Sequence, residues 1–132
     1  MQDQLGAIAK DYGLLLVLQF GSSVTGKAHG RSDVDIAVLL DRPEISFQEH
    51  AKLLEGLQRL FPGREVDLAI INHADPLFLK KITDDCLILY GAVERLQGLK
   101  IYAFKRYQDH RKYFAMERQY AAKYLASASP TE

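Results

Sequence analysis

The stretch Leu14–Leu40, LLLVLQFGSSVTGKAHGRSDVDIAVLL, decides the fold. An unbroken apolar run, Leu14–Phe20, meets Gly21-Ser22, and ten residues later Asp33-Val34-Asp35 opens a second run that ends at Leu40. A short apolar run bounded by turn residues reads as a strand buried on both faces. Alternate residues of a strand share a face, so Asp33 and Asp35 project side by side. Two adjacent carboxylates repel each other and are costly unless a cation sits between them. The natural guest is Mg²⁺, held by a couple of carboxylates plus the oxygens of a bound phosphate. The Gly21-Ser22 turn supplies the other half, backbone N–H groups at a helix start that attract phosphate. Together they describe a site for a metal-bound nucleotide.

Outward from this stretch, strands alternate with helices. Residues 2–12 form an amphipathic helix, with Leu5, Ile8 and Ala9 at helical spacing and Gly13 as its stop. Ser23–His29 reads as a short helix or helical turn between the two strands. In the strand Asp33–Leu40, Asp33, Asp35, Ala37 and Leu39 take one face and Val34, Ile36, Val38 and Leu40 the other. Ser46-Phe47-Gln48-Glu49 is a capping-box sequence, and the helix it opens runs to about Leu60, with Phe47, Ala51, Leu54, Leu57 and Phe61 as its apolar stripe. Pro62-Gly63 ends that helix, and Arg64–Ile71 is a third strand, with Glu65, Asp67, Ala69 and Ile71 on one face. Asp75-Pro76 caps and starts a helix to about Thr83, Cys86–Tyr90 is a short edge strand, and a long helical region runs from Val93 to Ala126, followed by a frayed end at Ser127–Glu132. This order gives an α/β (α+β) fold, a small mixed β-sheet packed by helices with a long C-terminal helical region. One domain is expected over 1–132, with a core at 1–91 and the helical region at 92–126 serving a partner.

Composition narrows the function. Lysine plus arginine equals aspartate plus glutamate, 17 each, so no global basic field exists and direct nucleic-acid binding is not expected. The single cysteine, Cys86, excludes an internal disulfide and a cysteine zinc cluster, and reads as a half-buried core residue. The run Leu14–Leu18 is far too short to span a bilayer, so the expectation is a cytoplasmic protein without membrane contact. His29, His50, His73 and His110 lack metal-site spacing and read as structural or surface residues, His29 alone being close enough in sequence to touch nucleotide. Gly26-Lys27 is no Walker lysine, since the preceding glycine spacing and the following Ser/Thr are missing.

The conjunction of Gly21-Ser22 with Asp33-Val34-Asp35 resembles the signature of the DNA polymerase beta-type nucleotidyltransferase superfamily. The small size and the flanking pattern, Gly21-Ser22 then Gly26, then Arg31-Ser32-Asp33, resemble the minimal nucleotidyltransferase (MNT) antitoxins encoded beside HEPN-domain toxins. The resemblance covers about the first ninety residues; the C-terminal third carries no sharp motif. It implies a nucleotidyltransferase fold and a third acidic residue on the next strand, for which Asp67 is the match and Glu65, of the same parity, the fallback. It further implies Mg²⁺, as a pair of ions, at Asp33, Asp35 and Asp67, with ATP as substrate. A metal pair would clamp the attacking and leaving oxygens, and Asp67 would act as general base on the acceptor hydroxyl. Attack on the α-phosphorus would transfer a nucleoside monophosphate and release pyrophosphate. Gly21 and Ser22 would hold the outer phosphates, with Lys27 and Arg31 adding positive charge.

The chain has no room for a template-holding or large substrate domain, so the acceptor surface must come from elsewhere. By resemblance the acceptor is a hydroxyl, a tyrosine by preference, of a HEPN-type ribonuclease toxin bound in a hetero-oligomer, and AMP added there would block RNA phosphate. Two other readings compete: an antitoxin that only binds and occludes, and a transferase acting on a small hydroxylated molecule. Five tyrosines, Tyr102, Tyr107, Tyr113, Tyr120 and Tyr124, with Phe104, Phe114 and Met116 among many Arg and Lys, exceed what one buried helix stripe needs, which points to a partner surface on the C-terminal helix.

Overall fold

The computed structural model describes residues 1–21 and 33–128. Four helices and four strands follow one another among the described residues: α1 (Gln2–Tyr12), β1 (Leu14–Phe20), β2 (Val34–Leu40), α2 (Phe47–Gln58), β3 (Val66–Ile70), α3 (Pro76–Asp84), β4 (Cys86–Tyr90) and α4 (Val93–Ala128). They build one mixed sheet of order β3-β2-β1-β4. β1 is antiparallel to both β2 and β4, whereas β2 and β3 run parallel. The parallel pair needs a crossover rather than a hairpin, and α2 is that crossover. The helical turn expected at Ser23–His29 lies outside the described residues.

Most elements form where local chemistry dictates. Gly13 ends α1 in the left-handed region, φ 66°, returning its N–H to the Ala9 carbonyl. The Ser46 hydroxyl accepts from Glu49 N at 3.1 Å while Ser46 N donates to the Glu49 carboxylate at 3.3 Å, closing the capping box. Asp75 Oδ1 accepts from Leu77 N at 2.8 Å and Phe78 N at 3.2 Å, with Pro76 in the first turn of α3. Asp33 stands just before β2, and Arg64, Glu65 and Ile71 flank β3 rather than belonging to it. α4 continues past Ala126 to Ala128.

Both sheet faces are covered. On one, Val34, Ile36, Val38 and Leu40 of β2 pack with Leu5 and Ala9 of α1 and Leu53 and Leu57 of α2. On the other, Leu18 and Ala37 pack with Leu79 and Ile82 of α3 and Leu96 and Ala103 of α4. The alternation expected along β2 therefore holds, and Asp35 shares its face with the α3/α4 side.

The apolar stripe of α2 differs from expectation. Leu53 and Leu57 are buried, Leu54 and Phe61 half-buried, and Phe47 is 88% exposed. At 3.6 residues per turn Phe47 lies roughly 120° around the helix from Leu53, so the two cannot face one core. Phe47 and Ala51 start a second apolar line that the core does not use.

Two amides fix β3. Gln58 donates to the Arg64 carbonyl and accepts from Val66 N at 2.9 Å, and Asn72 pairs with both backbone groups of Leu40 at 2.8 Å. One brace sits before β3 and one after it.

The corrected stripe predicts a sharp contrast. Leu53→Ala is expected to destabilise by about 2–5 kcal/mol, whereas Phe47→Ser should stay within about 0.5 kcal/mol of the parent; urea unfolding midpoints at constant slope would show it.

Candidate functional site

The site is assembled by strand register. Phe20 of β1 lies opposite Asp35 of β2, and Asp35 lies opposite Asp67 of β3. The last rungs anchor it: Val34 N donates to the Glu65 carbonyl at 2.8 Å, and Ile71 N donates to the Val38 carbonyl at 3.0 Å. Asp33, Asp35 and Asp67 thus gather at one end of the sheet, on the face that carries α3. Asp35 is half-buried; Asp33 and Asp67 are exposed. Glu65, of the same parity as Asp67, precedes β3, so Asp67 and not Glu65 is the register partner of Asp35.

Gly21 closes the group from the side. Its φ of 81° is a conformation that favours glycine, and a Cβ built there would overlap the Asp35 carboxylate, with Asp35 Cγ only 3.1 Å away. The chain leaving β1 therefore turns against the carboxylate itself, which no other residue would permit.

Burial pushes the Asp35 carboxyl above the ordinary carboxylate range, the negative charges of Asp67 and then Asp33 push it further, and Lys81 pulls it back. Asp35 is therefore a group that would gain from a nearby cation. Among the described residues no three His, Cys, Asp or Glu side chains stand close enough to form a ready-made metal cage. The acids offer oxygen donors only, the kind that Mg²⁺ takes when one or two carboxylates are joined by substrate phosphate and water.

Ser22, Lys27 and Arg31, read from sequence as phosphate contacts, lie outside the described residues, as does His29. His50 and His110 are half-buried and His73 exposed, far apart in the fold, and His110 stacks edge-on against Phe114 at 4.3 Å between ring centroids. Cys86 is half-buried, and burial raises its thiol pKa. Sequence reasoning passed over Lys81, which lies exposed on α3. Its signal was present but weak: it falls one helical turn after Phe78, whose ring packs on Phe20.

A mixed sheet with helices on both faces, carrying clustered acids beside a glycine turn, is a nucleotidyltransferase-type fold. The chain belongs to the family described as Polymerase beta, Nucleotidyltransferase, which matches residues 3–95. Among solved structures it is similar to a chain of a toxin–antitoxin complex with AMP-PNP, at 22% identity and a TM-score of 0.71, covering 95% of this chain and 98% of that one. It is also similar to a chain of a complex between a tri-AMPylated Shewanella oneidensis HEPN toxin and an MNT antitoxin, at 20% identity and a TM-score of 0.65, with 95% of each chain covered. A more distant likeness, at 15% identity and a TM-score of 0.55, is to the spectinomycin adenyltransferase AAD(9) of Enterococcus faecialis; it covers 74% of this chain and 57% of that one. No curated protein sequence matches the chain. No helix among the described residues is long and apolar enough to cross a membrane.

The raised Asp35 carboxyl fixes the sign of a pH effect. A carboxyl that binds protons more tightly folded than unfolded makes the metal-free fold more stable as pH falls from above its folded value towards the unfolded one. Asp35→Asn should accordingly raise, not lower, the melting temperature at neutral pH without metal, and flatten its pH dependence in the acid range. Thermal melts of the two proteins across pH would show this; a melting temperature well below the parent would contradict it.

Proposed function

We propose that this chain is an antitoxin that silences a HEPN-type ribonuclease toxin by transferring AMP from ATP to a hydroxyl, a tyrosine by preference, of that toxin. The observation that carries this reading is the register pairing of Asp35 with Asp67 under the Gly21 turn. Family membership and the folds shared with toxin–antitoxin chains support it.

Each residue has a task set by its place. Asp33, Asp35 and Asp67 are the oxygen donors for Mg²⁺, one ion or a pair. When bound, Mg²⁺ neutralises charge on the phosphates and on the oxygens that attack and leave. Gly21 and Ser22 would offer backbone N–H groups to the outer phosphates, with Lys27 and Arg31 adding positive charge. Asp67, exposed on the edge strand, takes the proton from the acceptor hydroxyl. The hydroxyl oxygen bonds to the α-phosphorus, the bond from that phosphorus to the bridging oxygen breaks, and pyrophosphate leaves with the electron pair. Positioning and charge neutralisation carry most of the rate.

The partner surface proposed for α4 rests on exposure and charge. Tyr102, Phe104, Tyr113, Phe114, Met116 and Tyr120 of this helix are all exposed large side chains. Leu77, His110, Arg111, Phe114, Ala115 and Arg118 line an open groove of about 360 Å³ between α3 and α4. The helix holds eight Lys and Arg against three Asp and Glu, while the remainder of the chain holds nine against fourteen. An aromatic, cationic helix projecting from an acidic body has the composition of a protein interface. The body of the complex is a hetero-oligomer in this reading, and the site is a cytoplasmic one without membrane or direct nucleic-acid contact.

Incubating the toxin encoded beside this chain with the protein, ATP and Mg²⁺ should add one or more AMP units by intact mass, and Asp33→Ala with Asp35→Ala should abolish the gain. Tight binding without any mass gain would make the chain an occluding antitoxin, and neither binding nor gain would redirect the search to small hydroxylated acceptors such as the drug of the spectinomycin adenyltransferase. Charge reversal at Arg111 and Arg118 together should weaken toxin binding by about tenfold or more in a pull-down titration; undiminished binding would remove α4 from the interface.

A further inference from the structure

We infer that Lys81 of α3 binds the outer phosphates of the nucleotide and is the cation supplied to the site by the folded body of the domain rather than by the loop after β1. The inference rests on the transferase reading above and adds to it a residue outside the Gly-Ser and Asp-x-Asp motif.

Placement is the first argument. Phe78 of α3 packs edge-on against Phe20 at 5.9 Å between ring centroids, and Phe20 is the strand neighbour of Asp35. This contact pins α3 over the end of the sheet where the acids gather. Lys81 lies three residues on, on the same side of the helix as Phe78, and about 4.5 Å further along the axis. Leu79 and Ile82 are buried in the core below, which fixes the rotation of the helix and leaves Lys81 at the solvent edge beside the site.

The contrast with its neighbour is the second argument. Lys80 is already engaged: its Nζ sits 2.6 Å from Asp84 Oδ2 and 5.1 Å from the Tyr107 ring centroid. Lys81 is exposed and forms no such ion pair among the described residues. A long, flexible ammonium at that position has the reach to meet an anion bound beside the acids. Once a cation balances the acids, the strongest remaining anion within reach of Lys81 is a polyphosphate. A lysine serves such a group well, as a compact, strongly charged donor with three N–H bonds.

Calorimetric titration with ATP and with AMP, both in Mg²⁺, tests this on the wild type, Lys81→Ala and Lys81→Arg. ATP affinity is expected to fall about tenfold in Lys81→Ala and to be largely kept in Lys81→Arg, with AMP affinity moving less than about twofold in either. Unchanged ATP affinity in Lys81→Ala overturns the role of Lys81 and leaves the transferase reading intact. An equal loss for ATP and AMP also overturns it, since the effect would then lie in the shape of the site and not in the outer phosphates. A wild type that binds neither nucleotide overturns the transferase reading and this inference with it.

Discussion

The parallel pairing of β2 with β3 is the constraint on which the rest of the site depends. A parallel neighbour cannot be reached by a tight turn, so the chain must leave the sheet, cross one face as α2 and return. Burial of Leu53 and Leu57 ties that crossover to the β2 face made by Val34, Ile36 and Val38. The Gln58 brace before β3 and the Asn72 brace after it then hold the strand at both ends. A slip of one residue would turn Asp67 to the opposite face and expose Val66 and Leu68. The same hydrophobic pattern that buries the core therefore sets the distance between two carboxylates.

That arrangement has a cost, and the fold limits it. Three acids at one end of a sheet repel, and Asp35 is the one that suffers burial as well. Asp33 precedes its strand and Asp67 sits on an edge strand, so both keep water while Asp35 alone is half-buried. An edge position for β3 has a second effect, because a charge on an edge strand discourages pairing with another chain's edge. Edge placement also keeps one side of the acid cluster open. Interior packing elsewhere carries the stability: Leu16, Val17, Leu18, Ile36 and Ala37 are fully buried in the two central strands.

The strand–turn–strand stretch was legible because its signals were redundant. Apolar runs of strand length, a glycine where the backbone turns, and paired acids at a strand start all pointed the same way, and the bounds of β1 and β4 follow directly from them. Caps were equally readable, since Ser46 with Glu49 and Asp75 with Pro76 act over three residues and need no knowledge of the rest of the fold. The stripe of α2 was not. Counting apolar residues at helical spacing allowed a line through Phe47 and Ala51, and only the position of the sheet decides that the core lies under Leu53 and Leu57. Asp67 was legible as one of two acids of equal parity; the choice between it and Glu65 depends on where β3 begins, and that depends on Gln58, seven residues before Glu65. Lys81 was out of reach for a related reason: nothing local tells Lys80 from Lys81, and the difference comes from Asp84, Tyr107 and the Phe20–Phe78 contact, which only the folded chain brings together.

The division of charge bears on how so small a domain can act on a second macromolecule. Acidic residues predominate over 1–92 and basic ones over α4, so two opposite fields arise in a chain of formal net charge zero. An acid-rich site repels anions, so in the proposed reaction a nucleotide would need a compensating cation, and its occupancy would depend on salt. The helix has the opposite problem: beyond Tyr107 most of its large side chains are exposed, and nothing in the chain covers Tyr113, Met116 or Tyr120 among the described residues. A helix that buries Leu96 and Ala103 but exposes Tyr113, Met116 and Tyr120 keeps apolar surface that a partner could cover. In the proposed reaction the covering partner is also the acceptor, so the contact that completes the fold of α4 is the one that delivers the hydroxyl. In that reading, binding energy released along the helix can be used to hold the acceptor at the α-phosphorus.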